Sequence, residues 1–157
     1  MRADRAVVAG TVVLFVGTAV AAGPLVGLPL LEPEPADPGT GSVSATVADP
    51  PTRVTLEATD FGAGYDLRGP PVPVTLSEVA GRPYLSYTVA VPALGHQTTS
   101  LTVVEADGRL RLTMNPSTLS EGAVEADSYE GRVAIHAIDD DGRRVVAETA
   151  VTVEVRE

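Results

Sequence analysis

The chain has 157 residues, and its eleven basic residues, all arginine, face twenty-one Asp and Glu for a net charge of −10. A surface that acidic repels phosphate backbones and anionic headgroups, which argues against nucleic-acid and peripheral membrane binding. The absence of lysine closes P-loop, kinase and Schiff-base chemistry, and the absence of cysteine removes any disulfide framework, thiolate metal site or thioether lipid attachment.

From Ala6 to Leu31 no residue is charged, more than the roughly 20 apolar residues that cross a hydrocarbon core. Residues 1–31 are therefore expected to form an N-terminal signal anchor and transmembrane helix, with the lipid bilayer as its partner. Ala19-Val20-Ala21 has the small residues of a leader-peptidase site, so cleavage after Ala21 is the alternative; the length of the apolar run favours retention. Arg2 and Arg5 precede the span while Glu32, Glu34 and Asp37 follow it, an arrangement that keeps the N-terminus cytoplasmic and the C-terminal domain extracellular. Gly17 and Ala21 have the spacing of a close helix contact, although small residues are common throughout the chain. Pro24 marks a kink or the outer end of the helix.

Residues 32–42, EPEPADPGTGS, lack backbone donors at alternate positions and form a stiff Pro/acidic linker. Residues 43–157 then carry period-two patterns. In chain order the expected strands are Val43 to Val47, Val54 to Thr59, Val72 to Val79, Leu85 to Val91, Leu101 to Glu105, Leu110 to Met114, Arg132 to Ile138 and Val145 to Val155. In the last of these Val145, Ala147, Val151 and Val153 share one face. Asp107-Gly108 and Asp141-Gly142 read as tight hairpin turns, and Pro116 to Ala126 has room for one helical turn. The expected class is all-β: an antiparallel sandwich of seven to eight strands behind one transmembrane helix.

The segment from Asp127 through Tyr129 to Gly142 resembles the penultimate strand and last hairpin of immunoglobulin-like or fibronectin type III-like domains, with Tyr129 where a tyrosine corner falls. The resemblance covers about the last third of the chain. It implies a fold and no activity, and the cysteine pair and tryptophan of true immunoglobulin domains are missing. The acidic, lysine-free composition also resembles surface proteins of salt-loving archaea; GC-rich coding, which exchanges Lys for Arg, produces the same bias.

Several stretches carry residue types that occur in sites. Ala137 to Glu148, AIDDDGRRVVAE, matches a calcium loop at Asp139, Asp141, Gly142 and Glu148 but has Ala137 at the first ligand position and strands on both sides. Asp139, Asp141 and Glu148 are thus weak surface-cation candidates on what reads as a hairpin. Asp60-Phe61-Gly62 copies a kinase magnesium triplet, yet without lysine it reads as a Gly-rich turn whose Phe61 and Tyr65 pack against the sheets. His96 is expected in a loop and His136 on a solvent-facing strand position, with no nucleophile elbow beside either. Thr98, Thr99, Ser100 and Thr102 fit a strand as well as O-glycan acceptors; Asn115 is followed by Pro116, which closes N-glycosylation.

The expected function is a single-pass, membrane-anchored, extracytoplasmic module, non-catalytic and without cofactor, contacting an unidentified protein partner at the cell surface or in a membrane complex. The alternatives are a secreted sandwich that binds a small ligand or cation, and a pilin-like subunit. One consequence is testable on the purified protein. From Glu32 onward there are twenty carboxylates and nine arginines, mostly within about a Debye length of one another at ~0.1 M salt. Raising KCl from about 0.1 M to 2 M screens that repulsion, so the melting temperature should rise by circular dichroism. A flat or falling dependence would assign the acidity to coding bias.

Overall fold

The computed structural model describes residues 36–60 and 64–157. The expected span at 1–31, the start of the linker and the Phe61-Gly62 turn lie outside the described residues. No helix among the described residues is long and apolar enough to cross a membrane.

The described residues form ten strands: β1 (Thr40–Val47), β2 (Arg53–Ala58), β3 (Gly64–Arg68), β4 (Val72–Arg82), β5 (Tyr84–Val91), β6 (His96–Val103), β7 (Gly108–Leu112), β8 (Ser117–Ser120), β9 (Ser128–Asp139) and β10 (Gly142–Arg156). A small sheet has the order β1-β4-β7, and a large one the order β6-β5-β9-β10-β2-β3-β8. Both contribute to a single core: Val43, Val72, Val74 and Leu112 from the small sheet meet Leu85, Tyr87, Val89, Ile135, Val153, Leu56 and Leu67 from the large one. Laid flat, seven strands span about 29 Å between the outer axes and three span about 10 Å. Leu67 and Leu119 near one end of the large sheet still share the core with β5 near the other, so that sheet wraps around its smaller partner. His96 Nε2 on β6 and Ser117 Oγ on β8 lie 3.0 Å apart, joining the two ends of the wrap.

All-β architecture in two packed sheets is as expected, with three corrections. Ten strands are present among the described residues instead of seven to eight. β3 pairs β2 and β8, but each of the two additional strands buries only one large apolar side chain, Leu67 or Leu119, which is too little alternation to read locally. The segment after Pro116 does contain one 3-10 turn, Glu121–Ala123. Second, the sandwich is not wholly antiparallel: β2 pairs β10 in parallel, Arg53 to Glu57 beside Thr152 to Arg156. Third, Asp107-Gly108 closes no hairpin. β6 pairs β5 and β7 pairs β4, so the connection crosses between sheets, and Asp107 Oδ1 accepts the Val79 N–H at 2.8 Å. Asp-Gly signals a reversal of direction, while the partner strand is set by distant core residues. The β9-β10 reversal at Asp140-Asp141 is the tight hairpin expected, with Asp139 opposite Gly142 and Gly142 at φ +103°.

β1 begins at Thr40, inside the segment read as linker. Its pairing with β4 slips between Ser42 and Ser44, where Glu78 takes a positive φ of 55°. Pro73 sits within β4 but one residue beyond the last β1 partner, Val74 opposite Val47, so its missing N–H interrupts no bond to β1.

Side chains fasten the places where the chain changes sheet. Tyr87 Oη donates to Pro70 O at 3.1 Å, beneath the β3-to-β4 crossing, and burial pushes its phenol pKa up to about 12. Gly69 is required there, because a Cβ at that position would lie 2.5 Å from Tyr87 Oη. Tyr129 Oη accepts the N–H groups of Glu125 at 2.7 Å and Ala126 at 2.9 Å, which fixes the approach to β9. Asp139, whose side chain is 3% exposed, takes Arg144 Nη1 at 3.1 Å. The other end of that guanidinium, Nη2, donates to Val43 O on β1, and Asp140 N–H donates to Gly41 O at 3.1 Å. One arginine thereby ties the small sheet to the last hairpin. Arg144→Met should lower stability by about 2 kcal/mol, the scale of hydrogen bonds to a charged group. Asp139→Asn combined with it should cost less than the sum of the two, as read by urea unfolding; strict additivity would show that the groups do not act together.

Candidate functional site

The outward residues of β6, β5, β9 and β10 form four cross-strand rows. Val103, Tyr84, Ile138 and Arg143 make the first, and Leu101, Ser86, His136 and Val145 the second. Below them lie Thr99, Thr88, Ala134 and Glu148, then Gln97, Ala90, Arg132 and Ala150. The middle of this face is floored by small side chains, and a groove of about 960 Å³ runs over Thr88, Ala90, Ala134 and Ala150.

Polar groups on the face are bonded to one another. Thr88 Oγ1 and Thr99 Oγ1 are 2.9 Å apart, Arg132 Nη1 reaches Glu148 Oε1 at 3.0 Å, and Arg143 Nη2 donates to His136 Nδ1 at 3.1 Å. Ser86 and Thr88, though on an outer face, are only 1% and 6% exposed. In contrast Leu101 and Val145 are each 57% exposed, and they sit at the two ends of one row. Ser86 and His136 stand between them, so the two apolar side chains flank the face from opposite edges.

Val145 reaches this face through an irregularity. The β9 register shifts between Val145 and Ala147, with Val145 opposite His136 and Ala147 opposite Ile135. The bulge turns Val145 outward, away from the face it was expected to share with Val151 and Val153. The sequence does carry a sign of this in Val145-Val146-Ala147, three apolar residues that break the alternation. Leu101 is marked in a different way: no Asp, Glu, Lys or Arg occurs from His96 to Val103.

The cation candidates are dispersed. Asp139 is held by Arg144 beneath the hairpin, Asp141 lies in the turn with its N–H donating to Asp139 Oδ1 at 3.2 Å, and Glu148 is on the outer face with Arg132. Among the described residues no group of three His, Cys, Asp or Glu is arranged to hold a metal ion. His96 opens β6 instead of lying in a loop, and His136 is on the outer face as expected. Tyr65 packs against the core. Of the Thr/Ser cluster, Thr99 is exposed and Ser100 is buried, its Oγ accepting the Asn115 N–H at 2.8 Å.

No protein-family model matches the chain, and none of the curated proteins is significantly similar to it in sequence.

Burial first, and then the charge of Arg143, hold the His136 imidazole below the usual histidine range, with Glu148 opposing them. The folded state therefore binds fewer protons at this site than the unfolded chain. The stability involved is present above the unfolded value near ~6.5 and is lost as pH falls through the lower folded value. His136→Gln should accordingly lose less stability than the wild type between pH 7 and pH 5, compared by urea midpoints. Parallel pH profiles would show that His136 titrates as it does in the unfolded chain.

Proposed function

We propose that the chain is a non-catalytic interaction module, held in the cell membrane by its N-terminal apolar segment with the sandwich outside the cytoplasm, and that it meets protein partners through the outer face of β6-β5-β9-β10. The observation that carries this reading is the single row bearing both Leu101 and Val145, at 57% exposure each, beside a groove of small residues. A contact surface of that composition buries apolar area without displacing many bound charges.

The strand order supports an immunoglobulin-like reading of the fold. β1-β4-β7 corresponds to an A-B-E sheet, and β5, β9 and β10 to C, F and G, with β6 added beside C. The Tyr129 hydroxyl bonded to backbone three and four residues upstream has the form of a tyrosine corner. Such a fold serves many functions, so the role is argued from the face itself. The uncharged run from Ala6 to Leu31 supports the anchor, and the acidic, lysine-free composition supports a high-salt surface environment.

The test uses a photoreactive residue at Thr99 or at Ala150 on the face, with Arg109 on the small sheet as control, in carbonate-washed membranes. The protein should remain in the washed membranes with its N-terminus at or near Met1, and the two face positions should give protein adducts that the control does not. Equal adducts from all three positions would sink the face, and a soluble form beginning at Ala22 would favour the secreted alternative.

A further inference from the structure

The turn that leads into β1 holds one peptide bond in an unusual setting. Pro38 and Gly39 are the middle residues of a tight turn from Asp37 to Thr40, with Gly39 at φ +90°. The turn is fastened to the sandwich on its downstream side: Gly39 N–H donates to Arg82 O at 2.7 Å, and a Cβ on Gly39 would lie 3.1 Å from the Tyr84 ring. The Asp37 carbonyl oxygen, on the residue before Pro38, accepts the Thr40 N–H at 3.3 Å and the Thr40 Oγ1–H at 2.5 Å. Two held donors on one carbonyl are the arrangement that stabilises an oxyanion. Asp37 is exposed, and among the described residues no cation pairs with its carboxylate; the guanidinium of Arg82, opposite Thr40, is engaged with Glu105 at 3.2 Å.

We propose that Asp37–Pro38 is a self-cleavage site, at which the Asp37 side chain attacks its own main-chain carbonyl and Thr40 stabilises the oxygen that becomes charged. An Asp37 Oδ bonds to the Asp37 carbonyl carbon and closes a five-membered ring, while negative charge develops on the carbonyl oxygen between the two Thr40 donors. The C–N bond to Pro38 then breaks, its electron pair stays on the proline nitrogen, and the carboxyl proton of Asp37 ends on that nitrogen. The products are a cyclic anhydride on residue 37 and a free secondary amine on residue 38. One water, the only co-reactant, opens the anhydride to two carboxyl groups. Proline suits the leaving side, because without an N–H its nitrogen holds no hydrogen bond that cleavage has to break.

The second Asp-Pro bond of the chain, Asp49–Pro50, lacks this setting: among the described residues no donor reaches the Asp49 carbonyl. Cleavage at residue 37 leaves every strand whole, since β1 begins at Thr40, and it separates the sandwich from residues 1–37. Where residues 1–31 are an anchor, the product is a sandwich freed from the membrane. That consequence rests on the proposed function; the bond cleavage does not.

The full chain, purified in detergent, is held at the lowest pH at which circular dichroism still shows the folded sheets, and is followed by intact mass. Fragments 1–37 and 38–157 should appear at least about tenfold faster than the fragments from Asp49–Pro50, a modest share of the roughly 10²–10³ that one oxyanion donor contributes in an enclosed site. Hydroxylamine should turn the new end at residue 37 into a hydroxamate, the mark of an anhydride. Thr40→Val removes the hydroxyl and keeps a β-branched side chain, and should slow cleavage at residue 37 about tenfold while the spectrum and the rate at residue 49 stay unchanged. Equal rates at the two Asp-Pro bonds, a missing hydroxamate, or a Thr40→Val rate equal to that of the wild type would overturn the proposal. In carbonate-washed membranes the same acid treatment should release 38–157 into the supernatant. Uncleaved chain already in the supernatant would refute the anchor and leave the cleavage standing, and membrane-bound chain that stays whole in acid would do the reverse.

Discussion

One inserted residue in β10 organises both the interior and the exterior of this end of the domain. Before the bulge at Val145 to Ala147, even-numbered residues point inward, and Arg144 lies on the same side as Ala137 and Asp139. After it, odd-numbered residues point inward, and Val151 and Val153 enter the core. A strand of unbroken alternation offers one of these and not the other, because a one-residue slip exchanges the two faces completely. With the bulge, Arg144 reaches the Val43 carbonyl from within while Val145 is turned out beside His136. The fastening of the small sheet and the apolar end of the outer row are two sides of the same irregularity.

Without cystine, the sandwich is held at its crossings by side chains bonded to backbone. Tyr87 to Pro70, Asp107 to Val79, Tyr129 to Glu125 and Ala126, and Arg144 to Val43 each join segments that differ in sheet or lie outside the ladders. Each satisfies a backbone group that the sheets leave unpaired, which matters most where water is excluded. The core that these bonds surround is built mainly from Val and Leu, with Tyr87 its largest fully buried side chain. Close packing between β-branched side chains on facing sheets supplies the main stabilisation, and the crossings determine which strands face one another.

Much of this was legible in the sequence. The long strands β4, β5, β9 and β10 carry enough alternating apolar residues to declare themselves, and Tyr129 stands at the right distance from the hairpin for its hydroxyl to reach back. β3 and β8 were hidden because neither stretch alone has a period, and what joins them is distant in sequence: Asp66 Oδ1 accepts Thr118 Oγ1–H at 2.6 Å between residues 52 apart. Of the residues in the calcium-like loop, Asp139 meets an arginine from the same hairpin, a pairing between positions that the sequence does not mark. The outer face of β6-β5-β9-β10 was legible only in fragments. Val145 depends on a register shift that alternation hides, and Leu101 is flanked by Ser100 and Thr102, which fit a buried strand as easily as an open one.

The parallel pairing of β2 with β10 has a further consequence for the order in which the protein comes into being. Arg53 has its partner at Thr152, so the wrapped half of the large sheet, β2 with β3 and β8, has its ladder to the rest through a strand far along the chain. The earlier strands wait with an unfilled edge while the chain is synthesised, a delay inherent in pairings of such long sequence separation. Within the domain β10 thus acts as a latch: the large sheet cannot join its two halves until that strand is made.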